Sequence, residues 1–115
     1  MVEIATSLGR SGLQDWLIQR ISAIVLALYI LFLGGYFLCH PAFAFEDWRA
    51  LHASFLMQIA NSVILLSLLM HAWVGIWTVL TDYIKPINLR LLLEVIIILA
   101  LFGFLIWGIK IIWSV

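Results

Sequence analysis

Cysteine occurs once, at Cys39, proline twice, and charged side chains make up only 10% of the 115 residues. A single thiol excludes a disulfide framework and any multi-cysteine zinc or iron–sulfur site built by this chain alone. A water-soluble domain carries roughly 25% charged residues, so this chain lacks the polar cover that water would demand. Six basic residues stand against six acidic ones, which excludes the basic footprint of a nucleic-acid binder. No internal repeat, low-complexity segment or linker is present, and the length admits one domain at most, residues 1–115.

What fills the chain instead is apolar. Hydrophobic residues make up 66% of it, and the mean hydropathy is +1.20. Three uncharged runs locate membrane spans. Residues 21–39 form an unbroken one, long enough to cross about 30 Å of hydrocarbon at roughly 1.5 Å per residue. Residues 53–81 form a second, with His71 as its only ionisable group. The third, residues 95–109, is short. It spans if Leu91, Leu92 and Leu93 enter the membrane and Lys110 snorkels to the interface beside Trp113. The expectation is an all-α integral membrane protein with three transmembrane helices, at about 20–39, 55–81 and 90–113.

Basic residues set the topology. Arg10, Arg20, Lys85 and Arg90 flank one side, Arg49 and Lys110 the other. The positive-inside rule then puts the N-terminus in the cytoplasm and the C-terminus in the periplasm. Residues 1–19 read as a cytoplasmic arm with room for a short interfacial helix around residues 13–18, ahead of a three-helix unit over 20–115. Residues 40–52 read as a polar loop, with Pro41 helping to end the first helix. The first span has the length of a retained helix rather than a signal peptide, and no small-residue cleavage site precedes the next polar loop.

Three helices enclose no pore, and each carries a Leu/Ile/Val-rich face that lipid or partner helices must cover. Gly34 and Gly35, and the series Ala60, Ser67 and Gly75, mark where close packing can occur. The chain reads as a subunit.

His71 is the one titratable residue deep in a span, and an ionisable group at that depth is a functional candidate by default. The plainer alternative is a neutral imidazole bonded to a neighbouring helix. Ala60, Ile64, Ser67, His71, Gly75, Thr78 and Asp82 follow steps of three or four and share one helix face. Apart from Ile64 that face is small or polar. Gly75, one turn from His71, removes bulk where a flat macrocycle held by imidazole would need clearance, or simply permits helix packing. One histidine supplies one axial ligand, so a six-coordinate haem needs a second from another chain. Ser67 or a backbone carbonyl one turn away could set the imidazole's other nitrogen. Thr78 has no assigned role beyond returning its hydroxyl to the backbone one turn back.

Asp82 follows His71 by eleven residues on the same face, roughly 16 Å along the axis, at the cytoplasmic interface. Tyr83 adds a phenol at that level. Both also suit ordinary interface and helix-end roles. Arg20 opens the first span, either as a topology anchor or as the partner of a buried carboxylate such as a haem propionate. Glu94 follows Arg90 by four residues, so an ion pair is expected there, or a protonated Glu94, rather than catalysis.

The segment His71-Ala72-Trp73-Val74-Gly75-Ile76-Trp77, followed by Leu80-Thr81-Asp82-Tyr83-Ile84-Lys85-Pro86, closely resembles the enterobacterial-type succinate dehydrogenase membrane anchor. That is the smaller b-type cytochrome subunit of respiratory complex II. Similarity extends to Leu8-Gly9-Arg10, Asp15, Arg20, Ala23-Ile24-Val25-Leu26 and Leu89-Arg90-Leu91, and so covers nearly the whole chain. The resemblance implies a partnership with a second cytochrome b anchor, an iron–sulfur subunit and a flavoprotein subunit on the cytoplasmic face of the bacterial inner membrane. It implies that electrons from succinate reach ubiquinone at the membrane surface. It implies His71 as one axial ligand of haem b, with the other from the second anchor. Tyr83 matches the tyrosine that hydrogen-bonds a quinone carbonyl, Asp82 the acid that supports that site, and Arg20 a basic residue near the haem propionates. Position 94 departs from the pattern, since a neutral polar residue is expected where Glu94 stands.

Three rival readings remain to be weighed. A fumarate reductase anchor shares the architecture and runs quinol oxidation in reverse, but such anchors often lack the haem histidine. A small multidrug transporter needs four helices and a membrane-embedded glutamate in its first span, and residues 21–39 contain no acid. A haem-free assembly scaffold would make His71 a packing residue, and haem content separates it.

Overall fold

A computed structural model describes residues 12–115; Leu8, Gly9 and Arg10, which enter the resemblance and the charge balance, lie outside them. Four helices follow in order: α1 (Gly12–Cys39), α2 (Phe45–Ala53), α3 (Phe55–Tyr83) and α4 (Ile87–Trp113). Among the described residues there is no strand. Helices α1, α3 and α4 are each long and apolar enough to cross a membrane, and they match the three expected spans.

Two boundaries differ from expectation. Helix α1 begins at Gly12 and runs unbroken through Arg20, so residues 13–18 belong to the spanning helix and are not a separate interfacial one. A charge marks where lipid ends, but nothing between Leu13 and Leu33 is glycine or proline, and so nothing stops the backbone there. The second difference is α2, within what reads as a loop. Phe45, Trp48, Leu51 and His52 recur at helical spacing. Asp47 caps the start, its Oδ2 accepting from the Ala44 backbone N–H at 2.9 Å.

Rings seat α2 against the end of α1. Phe37 stacks on Trp48 with centroids 5.6 Å apart, and Trp48 covers His52 at 4.0 Å. Ser54 then breaks the chain with an extended backbone and caps α3, its Oγ accepting from the Met57 N–H at 3.3 Å. At the other end, Pro86 supplies the N-cap of α4 and so keeps the α3–α4 turn short.

The packing centres on α3, which lies against α1, α2 and α4. The assembly is 56 Å long and only 25 and 22 Å across. Few apolar side chains are buried: Met57, Val74 and Leu80 form the core, while large hydrophobics cover the outside. A surface this apolar belongs against lipid or other helices. The α3–α4 contact is close at Gly108 and is tied at one end by the Trp113 indole N–H, which donates to Ser62 Oγ at 3.0 Å.

Candidate functional site along the α1–α3 contact

The small and polar face of α3 is turned toward α1. Ala60 and Ile64 share a cleft with Val25, Tyr29 and Phe32. Ser67 shares another with Ile18 and Ser22. Gly75, Thr78 and Asp82 share a third with the first turns of α1. Helix α1 answers with its own stripe: Asp15, Ser22, Tyr29 and Tyr36 stand seven residues apart and are its polar seam.

At the middle of this contact, Ser22 Oγ lies 3.0 Å from His71 Nδ1. Ser22 is only 5% exposed, and its hydroxyl also donates to the Gln19 carbonyl at 3.1 Å. The residue that holds the histidine thus comes from α1, and not from Ser67 or a carbonyl of α3. Sequence spacing does not reach across 49 residues, although the seven-residue stripe marks Ser22 as facing a neighbour.

One turn further on, a Cβ at Gly75 would stand 3.4 Å from Gln19 Nε2. The space that glycine leaves is therefore taken up by α1 as close packing. Thr78 returns its hydroxyl to the Val74 carbonyl at 2.9 Å, as expected for a threonine inside an apolar helix.

Towards the end of α3 the two helices part around a cleft of about 520 Å³ bounded by Asp15, Trp16, Gln19, Trp77, Thr81 and Asp82. Gln19 Oε1 and Thr81 Oγ1 are buried here without hydrogen-bond partners. Groups in that state demand water or a polar ligand. Asp82 is exposed at the rim. Tyr83 follows outside the cleft and is 76% exposed. Arg20 is exposed as well, its guanidinium carbon 5.3 Å from the centre of the Trp16 ring, in cation–π geometry. Two residues along a helix is about 200° of rotation, so Arg20 points nearly opposite to Ser22. The structure brings His71, Gly75, Thr78 and Asp82 onto one contact and leaves Arg20 and Tyr83 facing outward.

The expected Arg90–Glu94 ion pair does not form among the described residues. Glu94 turns inward, only 8% exposed, with Oε2 buried and unpartnered. Arg90 stays half-buried in the first turn of α4; the Arg-before-Glu order is also the weaker one. A second polar group, absent from the sequence expectations, lies at the opposite end of the molecule. There the Tyr29 hydroxyl donates to Asn61 Oδ1, and Asn61 Nδ2 lies 2.7 Å from His52 Nδ1. His52 is 8% exposed, and burial lowers its pKa. No cluster of three or more His, Cys, Asp or Glu suited to a metal ion exists among the described residues. A haem needs only one such ligand from each chain that holds it.

Comparison with known proteins accords with this geometry. Residues 4–107 match the family model described as the succinate dehydrogenase/fumarate reductase transmembrane subunit. The succinate dehydrogenase hydrophobic membrane anchor subunit of Coxiella burnetii is 38% identical over 104 residues, which cover 90% of each chain. With three apolar helices and a family match over nearly its whole length, the chain belongs to the succinate dehydrogenase/fumarate reductase transmembrane subunits, as a multi-pass membrane anchor.

Proposed function

We propose that this anchor serves a succinate:quinone oxidoreductase of a bacterial inner membrane, supplying one axial ligand to a shared haem b and part of a ubiquinone site. Its N-terminus is cytoplasmic. The partners are a second cytochrome b anchor, an iron–sulfur subunit and a flavoprotein subunit, and the complex rather than this chain alone is the enzyme. The observation that carries the reading is the Ser22–His71 contact: Nδ1 is engaged by a hydroxyl, as metal-bound imidazoles require of their second nitrogen.

The residues present fit a haem in two respects. His71 sits midway along α3, at the depth of a bilayer centre. Its ring is held from α1 rather than buried in an apolar pocket. Arg20 is turned nearly opposite to Ser22 and lies over Trp16, so a propionate role for it would require a carboxylate reaching that outer face of α1. When bound, a haem would supply a one-electron store.

For the quinone, charge builds on a carbonyl oxygen as it accepts two electrons and two protons, and a positioned donor is worth most at that moment. Tyr83 supplies the phenol. Asp82, beside it in sequence and at the rim of the polar cleft, supports that donor and lies where protons enter from the aqueous side. The α1–α3 cleft is wide and polar enough to hold water there.

A reduced-minus-oxidised optical spectrum of the detergent-purified complex tests the reading. The expected result is a low-spin b-type signal in the wild type, perturbed or lost in His71→Ala. An intact, stoichiometric complex without haem would leave His71 a packing residue and the chain a haem-free anchor.

A further inference from the structure

A serine hydroxyl carries a single proton, and Ser22 Oγ makes two contacts. One is to the Gln19 carbonyl at 3.1 Å, the other to His71 Nδ1 at 3.0 Å. A carbonyl oxygen only accepts. The first contact is a hydrogen bond only if Ser22 donates its proton there. The second is then a hydrogen bond only if His71 donates from Nδ1. The reverse arrangement, with Ser22 donating to Nδ1, leaves the Gln19 contact with no proton in it. One proton assignment satisfies both.

The same chain shows the device where no ambiguity exists. Ser62 Oγ donates to its own helix, to the Gln58 carbonyl at 2.9 Å, and accepts from Trp113 Nε1 at 3.0 Å. An indole nitrogen can only donate. Ser62 on α3 and Ser22 on α1 are therefore matched: each spends its proton on the preceding turn and offers its lone pair across a helix contact.

From this we infer that Ser22 fixes the neutral tautomer of His71, placing the proton on Nδ1 and leaving Nε2 as the bare ligand atom. Ser22 is a positioning residue: it orients the ring and holds Nδ1–H in a hydrogen bond that increases electron density on Nε2. It acts from a helix that does not itself carry the ligand, so the α1–α3 contact is part of the metal site. The inference rests on the haem reading of His71.

The test uses the assembled complex with wild-type, Ser22→Ala and Ser22→Thr anchors. In Ser22→Ala the Nδ1–H loses its acceptor, the imidazole donates less to ferric iron, and the haem midpoint potential shifts positive while the b-type spectrum persists. Ser22→Thr keeps a hydroxyl and returns the potential toward the wild type. Should Ser22→Ala fail to assemble, ¹⁵N NMR of histidine-labelled wild-type complex in the reduced, diamagnetic state reads the tautomer directly, with His71→Gln assigning the signal. Nδ1 protonated is the expected result. An unchanged potential in Ser22→Ala overturns the inference while leaving the haem in place, whereas a proton found on Nε2 removes that nitrogen as the ligand and overturns both the inference and the haem reading of His71. A wild-type complex without haem overturns the underlying reading instead, and with it this one.

Discussion

Gly108 stands so close to Leu65 that a Cβ on residue 108 would lie 2.7 Å from Leu65 Cδ2 and 2.9 Å from Cδ1. Both methyls of one leucine head would have to move together. Gly108→Ala is expected to destabilise the anchor by about 1–3 kcal/mol, the usual cost of overpacking. Adding Leu65→Ala should recover part of that loss, because the two changes share one space. Thermal unfolding of the detergent-solubilised complex measures both, and strictly additive losses would contradict the contact.

Tyr83 lies outside the helix contacts and can be changed without disturbing them. Tyr83→Phe is expected to leave assembly and haem content intact and to lower quinone reductase turnover. A hydrogen bond that gains charge assistance contributes about 1.5–3 kcal/mol, so the loss should be about 10- to 100-fold. Turnover with the native quinone is the assay, and an unchanged rate would remove Tyr83 from the site.

Glu94 is buried with one carboxyl oxygen unpartnered. An isosteric amide removes the ionisable group from a place where it meets no opposite charge. Glu94→Gln is therefore expected to leave thermal stability unchanged or to raise it by up to ~1 kcal/mol, with no effect on turnover. A marked loss of activity would assign this carboxyl a role that nothing in its surroundings shows.

His52 gives the α2 end of the molecule a pH dependence. Burial holds its imidazole below the ordinary value of 6.5. The unfolded ring takes up a proton near that value and the folded ring only at lower pH. The contribution to stability is thus complete above 6.5 and is lost progressively as pH falls from there toward the folded value. A protonated ring also donates from both nitrogens, so it cannot accept from Asn61 Nδ2 at 2.7 Å. Thermal midpoints measured between about pH 7 and 5 should fall in the wild type and fall less in His52→Gln. Equal slopes would show that His52 is not the group responsible.

Much of the fold is legible in the residues because lipid imposes one simple demand, a run of about 20 apolar side chains. That demand alone places α1, α3 and α4. It says nothing of where a helix continues into water, and so Gly12 to Gln19 looks like a separate arm. Helix α2 is missed for a related reason: Glu46, Asp47 and Arg49 fill its solvent side, and charge within a connection reads as loop unless the spacing of Phe45, Trp48 and Leu51 is weighed. At the site, His71 and Asp82 announce themselves by chemistry at a given depth. Ser22 does not, since its meaning lies in a residue on another helix. Gly75 is visible as a gap, but only the position of Gln19 shows what fills it.

The Ser22–Gln19 bond has a consequence for biosynthesis. Ser22 leaves the ribosome 49 residues before His71, and at about 5–20 residues per second that is an interval of about 2–10 s. During that time the first helix sits in lipid with no partner for a cross-helix bond. Its hydroxyl is satisfied throughout by the carbonyl one turn back, so the helix can wait without exposing an unpaired donor. When the later helix arrives, the lone pair is still free and no bond must be broken to receive the imidazole.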